Sequence, residues 1–168
     1  MNIVCETERL VVREFKVADA AFIICLLNDS SFIQNIGDKN VRSHIDAIAY
    51  LKEGPMASYQ GFGFGLNLVS LKHGMVPIGM CGLLKRNELE HPDLGYAFLP
   101  EFCAKGYAFE ASKSVLNTTI EQNSLSAVLA ITLPNNNRSN HLLDKLGFEF
   151  KRTIELYGAS NNLYEYLL

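Results

Sequence analysis

Apolar and polar positions divide the chain into short runs of two different periods. Arg9-Leu10-Val11-Val12-Arg13-Glu14-Phe15 is a β-branched run that fits an opening strand, and Asp19 stands ahead of an apolar stretch of helical length, Ala20 to Leu27. A second helix is predicted from about Val41 to Leu51, with Val41, Ile45, Ile48 and Ala49 spaced as one buried face and Gly54-Pro55 as its stop. Phe62 to Leu71 and Met75 to Leu84 are β-rich and joined by Lys72-His73-Gly74, which reads as an antiparallel hairpin. A third strand of this group runs from Asp93 to Leu99. The period returns to helical from Gly106 to about Gln122, where Ala108, Ala111, Val115 and Thr119 share a face. Ala127 to Leu133 is a continuous apolar run of strand length and so a central strand, Ser139 to Leu146 a short helix closed by Gly147, and Phe148 to Leu156 and Leu163 to Leu168 a last strand pair. The order gives an α+β domain with a single mixed, mostly antiparallel sheet of about seven strands and about four helices covering both of its faces.

Composition narrows the class. The 168 residues are 48% hydrophobic and 20% charged, and 15 Lys+Arg against 18 Asp+Glu leave a net charge of −3. This is one ordinary globular domain, residues 1–168, with no basic footprint for nucleic acid. The four cysteines, at 5, 25, 81 and 103, form no C-x-x-C pair and no His lies at ligand spacing, so neither a metal site nor a disulfide framework is expected. The N-terminus turns charged at once and no apolar run reaches 18 residues, which predicts a cytoplasmic protein without signal peptide or membrane span.

Two segments carry candidate chemistry. In Phe98-Leu99-Pro100-Glu101-Phe102-Cys103-Ala104-Lys105-Gly106-Tyr107-Ala108 a strand runs through a short loop into a helix opened by Gly106. A helix start aims unpaired backbone N–H groups and a positive dipole end at one point, and the small Ala104, Gly106 and Ala108 would let a phosphate approach the backbone. On the residues alone the plainer reading is a strand-to-helix turn that uses glycine for its dihedrals. In the second segment, Pro134 to Phe148, three successive Asn can turn the chain and cap a helix, while Asn136 and Ser139 fall three apart and bring an amide and a hydroxyl to one face of its start. Gly61-Phe62-Gly63-Phe64-Gly65 has no helix after it and reads as a strand entrance beside a substrate cleft rather than a phosphate loop.

Arg9-Leu-Val-Val-Arg13, Ile78-Gly79-Met-Cys-Gly82-Leu83, Leu94-Gly95-Tyr96, Gly106-Tyr-Ala-x-Glu110-Ala111 and Asn136-x-x-Ser139-x-x-x-Leu143-x-Lys145-Leu-Gly147-Phe148 together resemble the GNAT N-acetyltransferase superfamily, in its RimJ/RimL-like branch, over nearly the whole chain. The resemblance implies acetyl-CoA as co-substrate, no metal, and two central parallel strands that splay apart, here Asp93–Leu99 and Ala127–Leu133. It places the pyrophosphate loop on Cys103, Ala104, Lys105, Gly106, Tyr107 and Ala108, with Cys103 where the family has Gln or Arg and Ala104 where Gly is common. It sets Phe98 and Leu99 beside the pantetheine, Asn136 in contact with that arm, and Ser139 near the thioester sulfur, with Ser139 as a plain first-turn residue the alternative. Many members carry a Tyr where Leu143 stands, to protonate the departing thiolate.

The implied reaction is direct attack of an amine on the thioester. Its acceptor is expected to be a protein or peptide N-terminal α-amine, whose pKa near 7.7–8.0 leaves it partly neutral at pH 7. Glu101, beside the loop, is the first candidate base, ahead of Asp93. Glu110 reads as a helix N-terminal charge. A non-catalytic acyl-CoA sensor, a small-molecule amine as acceptor, and a protein-interaction domain without CoA are the alternatives, and monomer and homodimer are both open.

Overall fold

Eight strands form one mixed sheet in the computed structural model, which describes residues 1–168: β1 (Ile3–Glu6), β2 (Leu10–Glu14), β3 (Leu66–Leu71), β4 (Pro77–Leu84), β5 (Asp93–Phe98), β6 (Ala127–Thr132), β7 (Glu149–Leu156) and β8 (Ala159–Leu167). Their spatial order is β1-β2-β3-β4-β5-β6-β8-β7, and every neighbouring pair is antiparallel except β5 with β6. The helices are α1 (Ala20–Leu27), α2 (Ser30–Asn35), α3 (His44–Leu51), α4 (Ala57–Phe62), α5 (Tyr107–Asn123) and α6 (Asn137–Leu146).

Strand alternation divides the core between the two faces of the sheet. On one face Leu10, Val12, Ile78, Leu83 and Val128 pack against Ala111, Val115 and Leu116 of α5 and Leu143 of α6. On the other, Leu66, Leu68 and Met80 pack against Ile23, Leu26 and Leu27 of α1 and Ala47 and Leu51 of α3. The expected mixed sheet with helices on both faces is present, and of the helical face expected in α5, Ala111, Val115 and Thr119 are buried while Ala108 is half-buried.

Several boundaries differ from expectation for local reasons. β1 is an additional edge strand, too short at four residues for its alternation to register against the charged Glu6 and Glu8. α2 is an additional short helix, capped by the Asp29 carboxylate, which accepts from the Ser31 and Phe32 amides. Gly54-Pro55 does not stop α3. The backbone opens into a wider five-residue turn over Lys52–Met56 and continues into α4, because an i→i+5 turn absorbs the missing proline N–H without the clash a regular turn would suffer. Ile45 lies on the solvent side of α3 at 80% exposure, and the buried face is carried by Ala47 and Leu51. Phe62 ends α4 instead of opening a strand, with Gly63 at φ +82 as the left-handed cap, so β3 begins only at Leu66. β8 begins at Ala159, directly after the turn at Tyr157-Gly158.

Candidate functional site

The parallel pair at the centre of the sheet is barely a pair. β5 and β6 meet only at Asp93 opposite Leu129, whereas β5 matches β4 over six residues and β6 matches β8 over six. Beyond that point the strands diverge and the β5 edge facing β6 has no ladder partner. Such an edge can take an added extended chain. The gap opens into a cavity of about 1490 Å³, larger than the roughly 300–1,000 Å³ of ordinary small-molecule pockets and suited to two reactants at once.

One end of the cavity is the loop from β5 into α5. A short turn, Pro100–Phe102, leads to Cys103, after which Ala104 at φ +59 and Gly106 at φ +84 take left-handed conformations. Gly106 is the N-cap of α5 with no side chain capping the helix, and the first amide to bond within this helix is that of Glu110, to the Gly106 carbonyl. The amides of Tyr107, Ala108 and Phe109 therefore stand free at the positive end of a 17-residue helix. The loop is fixed from behind by residues just before β2. The Arg9 Nη1 donates to the Lys105 carbonyl at 3.0 Å, its Nε donates to Glu110 Oε2 at 2.7 Å, and its guanidinium covers the Tyr107 ring at 4.4 Å. Thr7 Oγ1 and the Arg9 amide both donate to Glu110 Oε1. Burial acts to raise the Glu110 carboxyl, but these donors and the guanidinium outweigh it and hold it below its ordinary value.

The opposite wall is the start of α6. The Asn136 side-chain oxygen accepts from the Ser139 amide at 3.3 Å, so the cap is Asn136 and the Ser139 hydroxyl is left out of it. Both residues line the cavity. So does Tyr96 of β5, whose hydroxyl is buried without a hydrogen-bond partner. Burial pushes this phenol up to about 12, and Ser139 opposes the shift, although no hydrogen bond of acceptable geometry joins the two hydroxyls. Asp93, fully buried, receives Arg86 Nε at 2.9 and 3.1 Å. Burial holds its carboxyl above the usual range despite that partner.

The structure gathers Phe98, Cys103, Ala104, Gly106, Tyr107, Ala108, Asn136 and Ser139 around one cavity. It does not bring Leu99, Lys105 or Glu101 to the lining. Lys105 turns its carbonyl to Arg9, and Glu101 sits exposed on the turn before the loop, so the first-choice base is outside the site. Phe62 lines the cavity, but from a helix end. The Arg9–Glu110 clamp and the Tyr96 hydroxyl were not singled out from sequence. Alternation on β5 was the available signal for Tyr96, since it puts 94, 96 and 98 on one face.

The sequence model of the acetyltransferase (GNAT) domain matches residues 9–149. Among relatives, the Bacillus subtilis (strain 168) protein described as uncharacterized N-acetyltransferase YoaA is 27% identical over 161 residues, covering 94% of this chain and 89% of its own. Among solved structures, RimL, an alpha-N-protein acetyltransferase of a ribosomal protein, in complex with coenzyme A, superposes with a TM-score of 0.85 at 13% identity, covering 99% of this chain and 98% of its own. The microcin C7 self-immunity acetyltransferase MccE, in complex with acetyl-CoA and AMP, superposes with a TM-score of 0.82 at 15% identity, covering 96% and 94%.

Proposed function

Because this chain belongs to the GNAT acetyltransferase family and is an acetyl-CoA-dependent N-acetyltransferase, we propose that its acceptor is the N-terminal α-amine of a protein or peptide. The residues present fit the co-substrate. The free amides of Tyr107, Ala108 and Phe109 are laid out for a pyrophosphate, the unpartnered edge of β5 from Gly95 to Phe98 for the amide-bearing arm, and Asn136 and Ser139 for the thioester end. The thioester supplies an acetyl carbon ready for attack, and the chain's part is to hold it and the amine in contact away from bulk water.

The observation that carries the acceptor reading is the lack of a buried, unpaired carboxylate in the cavity lining, where Glu53 and Asp144 stand exposed to solvent. Asp93 is held by Arg86, and Glu101 stands outside the lining. A site without a strong base selects an amine that loses its proton by itself. An α-amine near pKa 7.7–8.0 does so at neutral pH, whereas a lysine near 10.4 does not. RimL, named as an α-amine acetyltransferase, shares this fold and supports the reading. The test is a panel of N-terminal peptides, Nα-blocked lysine peptides, polyamines and aminoglycosides incubated with acetyl-CoA and read by product mass. Acetylation of free N-termini well ahead of lysine supports the assignment, and exclusive lysine or small-amine products overturn it.

A further inference from the structure

Tyr96 carries the one buried side-chain polar atom of this chain that has no hydrogen-bond partner. Buried hydroxyls are nearly always paired, so an unpaired one in a cavity wall points to a group it meets only during function. Its position narrows what that group is. Tyr96 faces the same side of β5 as Phe98, pairs with Cys81 of β4 across the sheet, and lines the cavity where β5 and β6 diverge, opposite the Ser139 hydroxyl on α6. Leu143, which lines the same wall from α6, is apolar and offers no donor.

We infer that Tyr96 is a catalytic residue which, together with Ser139, donates a hydrogen bond to the sulfur of acetyl-CoA as the thiolate departs. The inference rests on the acetyltransferase reading. In the transfer the amine nitrogen bonds to the acetyl carbon, the carbon–sulfur bond breaks with its electron pair on sulfur, and the amine's surplus proton passes to solvent. The thiolate is protonated from solvent on release. Tyr96 keeps its own proton throughout, as its environment requires: of the groups bearing on it, Ser139 is a neutral hydroxyl, and Cys81 and Tyr164 are both held above their ordinary values by burial and stay neutral at working pH. A phenol that does not ionise is a permanent donor. It stabilises the charge that develops on sulfur and is absent from the ground state, so it acts on kcat.

The experiment compares wild type and Tyr96→Phe in three readouts: kcat and KM for acetyl-CoA, the pKa of the thiol of bound CoA followed by thiolate ultraviolet absorbance, and the thermal midpoint. The expected result is kcat lower by roughly tenfold with KM within twofold, and a bound-thiol pKa that is below the free value of about 8.5 in wild type and returns toward it in the variant. The thermal midpoint should be unchanged or higher, because the lost oxygen bonds to nothing. An unchanged kcat, an unmoved thiol pKa, or a midpoint lower by several degrees each overturns the assignment. Wild type that binds no CoA and transfers no acetyl group overturns the acetyltransferase reading itself, whereas an active wild type matched by Tyr96→Phe removes Tyr96 alone.

Discussion

Single residues set the terms of cofactor binding and of leaving-group departure. Gly106 sits at φ +84, and a Cβ there would approach the Arg9 guanidinium at 3.3 Å. A β-branched side chain at this point strains the backbone and displaces both the free amides and their clamp. Gly106→Val should raise the Kd for CoA at least tenfold, about 1.4 kcal/mol, in a variant that circular dichroism finds folded. Unchanged calorimetric affinity would discard the loop as the phosphate site. Ser139 is tested differently, because its amide serves the cap and its hydroxyl does not. Ser139→Ala should therefore lower kcat by roughly 10- to 100-fold with little change in KM for acetyl-CoA and no loss of stability. A kcat within twofold of wild type reduces Ser139 to a first-turn residue. Both positions were legible in sequence because the spacing Asn136-x-x-Ser139 and the small residues around Gly106 are local signals. Tyr96 was not, because what distinguishes it is a missing partner, and that depends on which side chains from β4, α6 and β8 arrive around it.

At the scale of elements, the loop from β5 to α5 is held by a segment one hundred residues away in sequence. Glu110 was expected to be a helix N-terminal charge favoured by the dipole, and it does lie in the first turn of α5, but it is also the hub that joins Thr7 and Arg9 to that turn. Its carboxyl is depressed in the folded protein from an ordinary value of 4.5. A depressed acid contributes stability that is fully present above its unfolded pKa and is lost as pH falls through the folded one. The difference in thermal midpoint between wild type and Glu110→Gln should therefore be largest near neutrality and shrink as pH drops below 4.5. A difference that stays constant down to pH 3 contradicts the clamp. The same long-range dependence explains the misread elements. Gly54-Pro55 is a strong local stop, yet packing of the buried Pro55 and Leu51 keeps the chain helical through a widened turn. Ile45 fits the period of a buried face, but the face that α3 turns to α1 is that of Ala47 and Leu51. β5, α5 and β6 could be placed from period alone since each is long or continuous, and their splay follows from a single ladder position that no sequence period encodes.

Across the whole molecule, charge does little to select the acceptor. Glu88, Glu90, Asp93 and Glu101 look like an acidic surface that would draw cationic amines, but only Asp93 lines the cavity and Arg86 offsets it, while Glu88 accepts from Tyr157. Discrimination between amines then rests on the acceptor's own pKa. With a peptide N-terminus as acceptor, kcat/KM should rise with pH toward about 8 and level off as the α-amine becomes neutral. Glu101→Gln should follow the same curve. A profile in which Glu101→Gln loses rate selectively below pH 8 would return the base to that residue.

Direct transfer at the splay, as opposed to mere capture of an acyl-CoA, is what makes this chain an enzyme, and the release of free CoA thiol with and without an amine measures it. With saturating acetyl-CoA and a peptide bearing a free N-terminus, thiol should appear many times faster than with the same peptide blocked at its N-terminus, in step with acetylated product. Tight binding of acetyl-CoA accompanied by equal, slow thiol release in both cases would contradict the account and leave a binding domain in place of an enzyme.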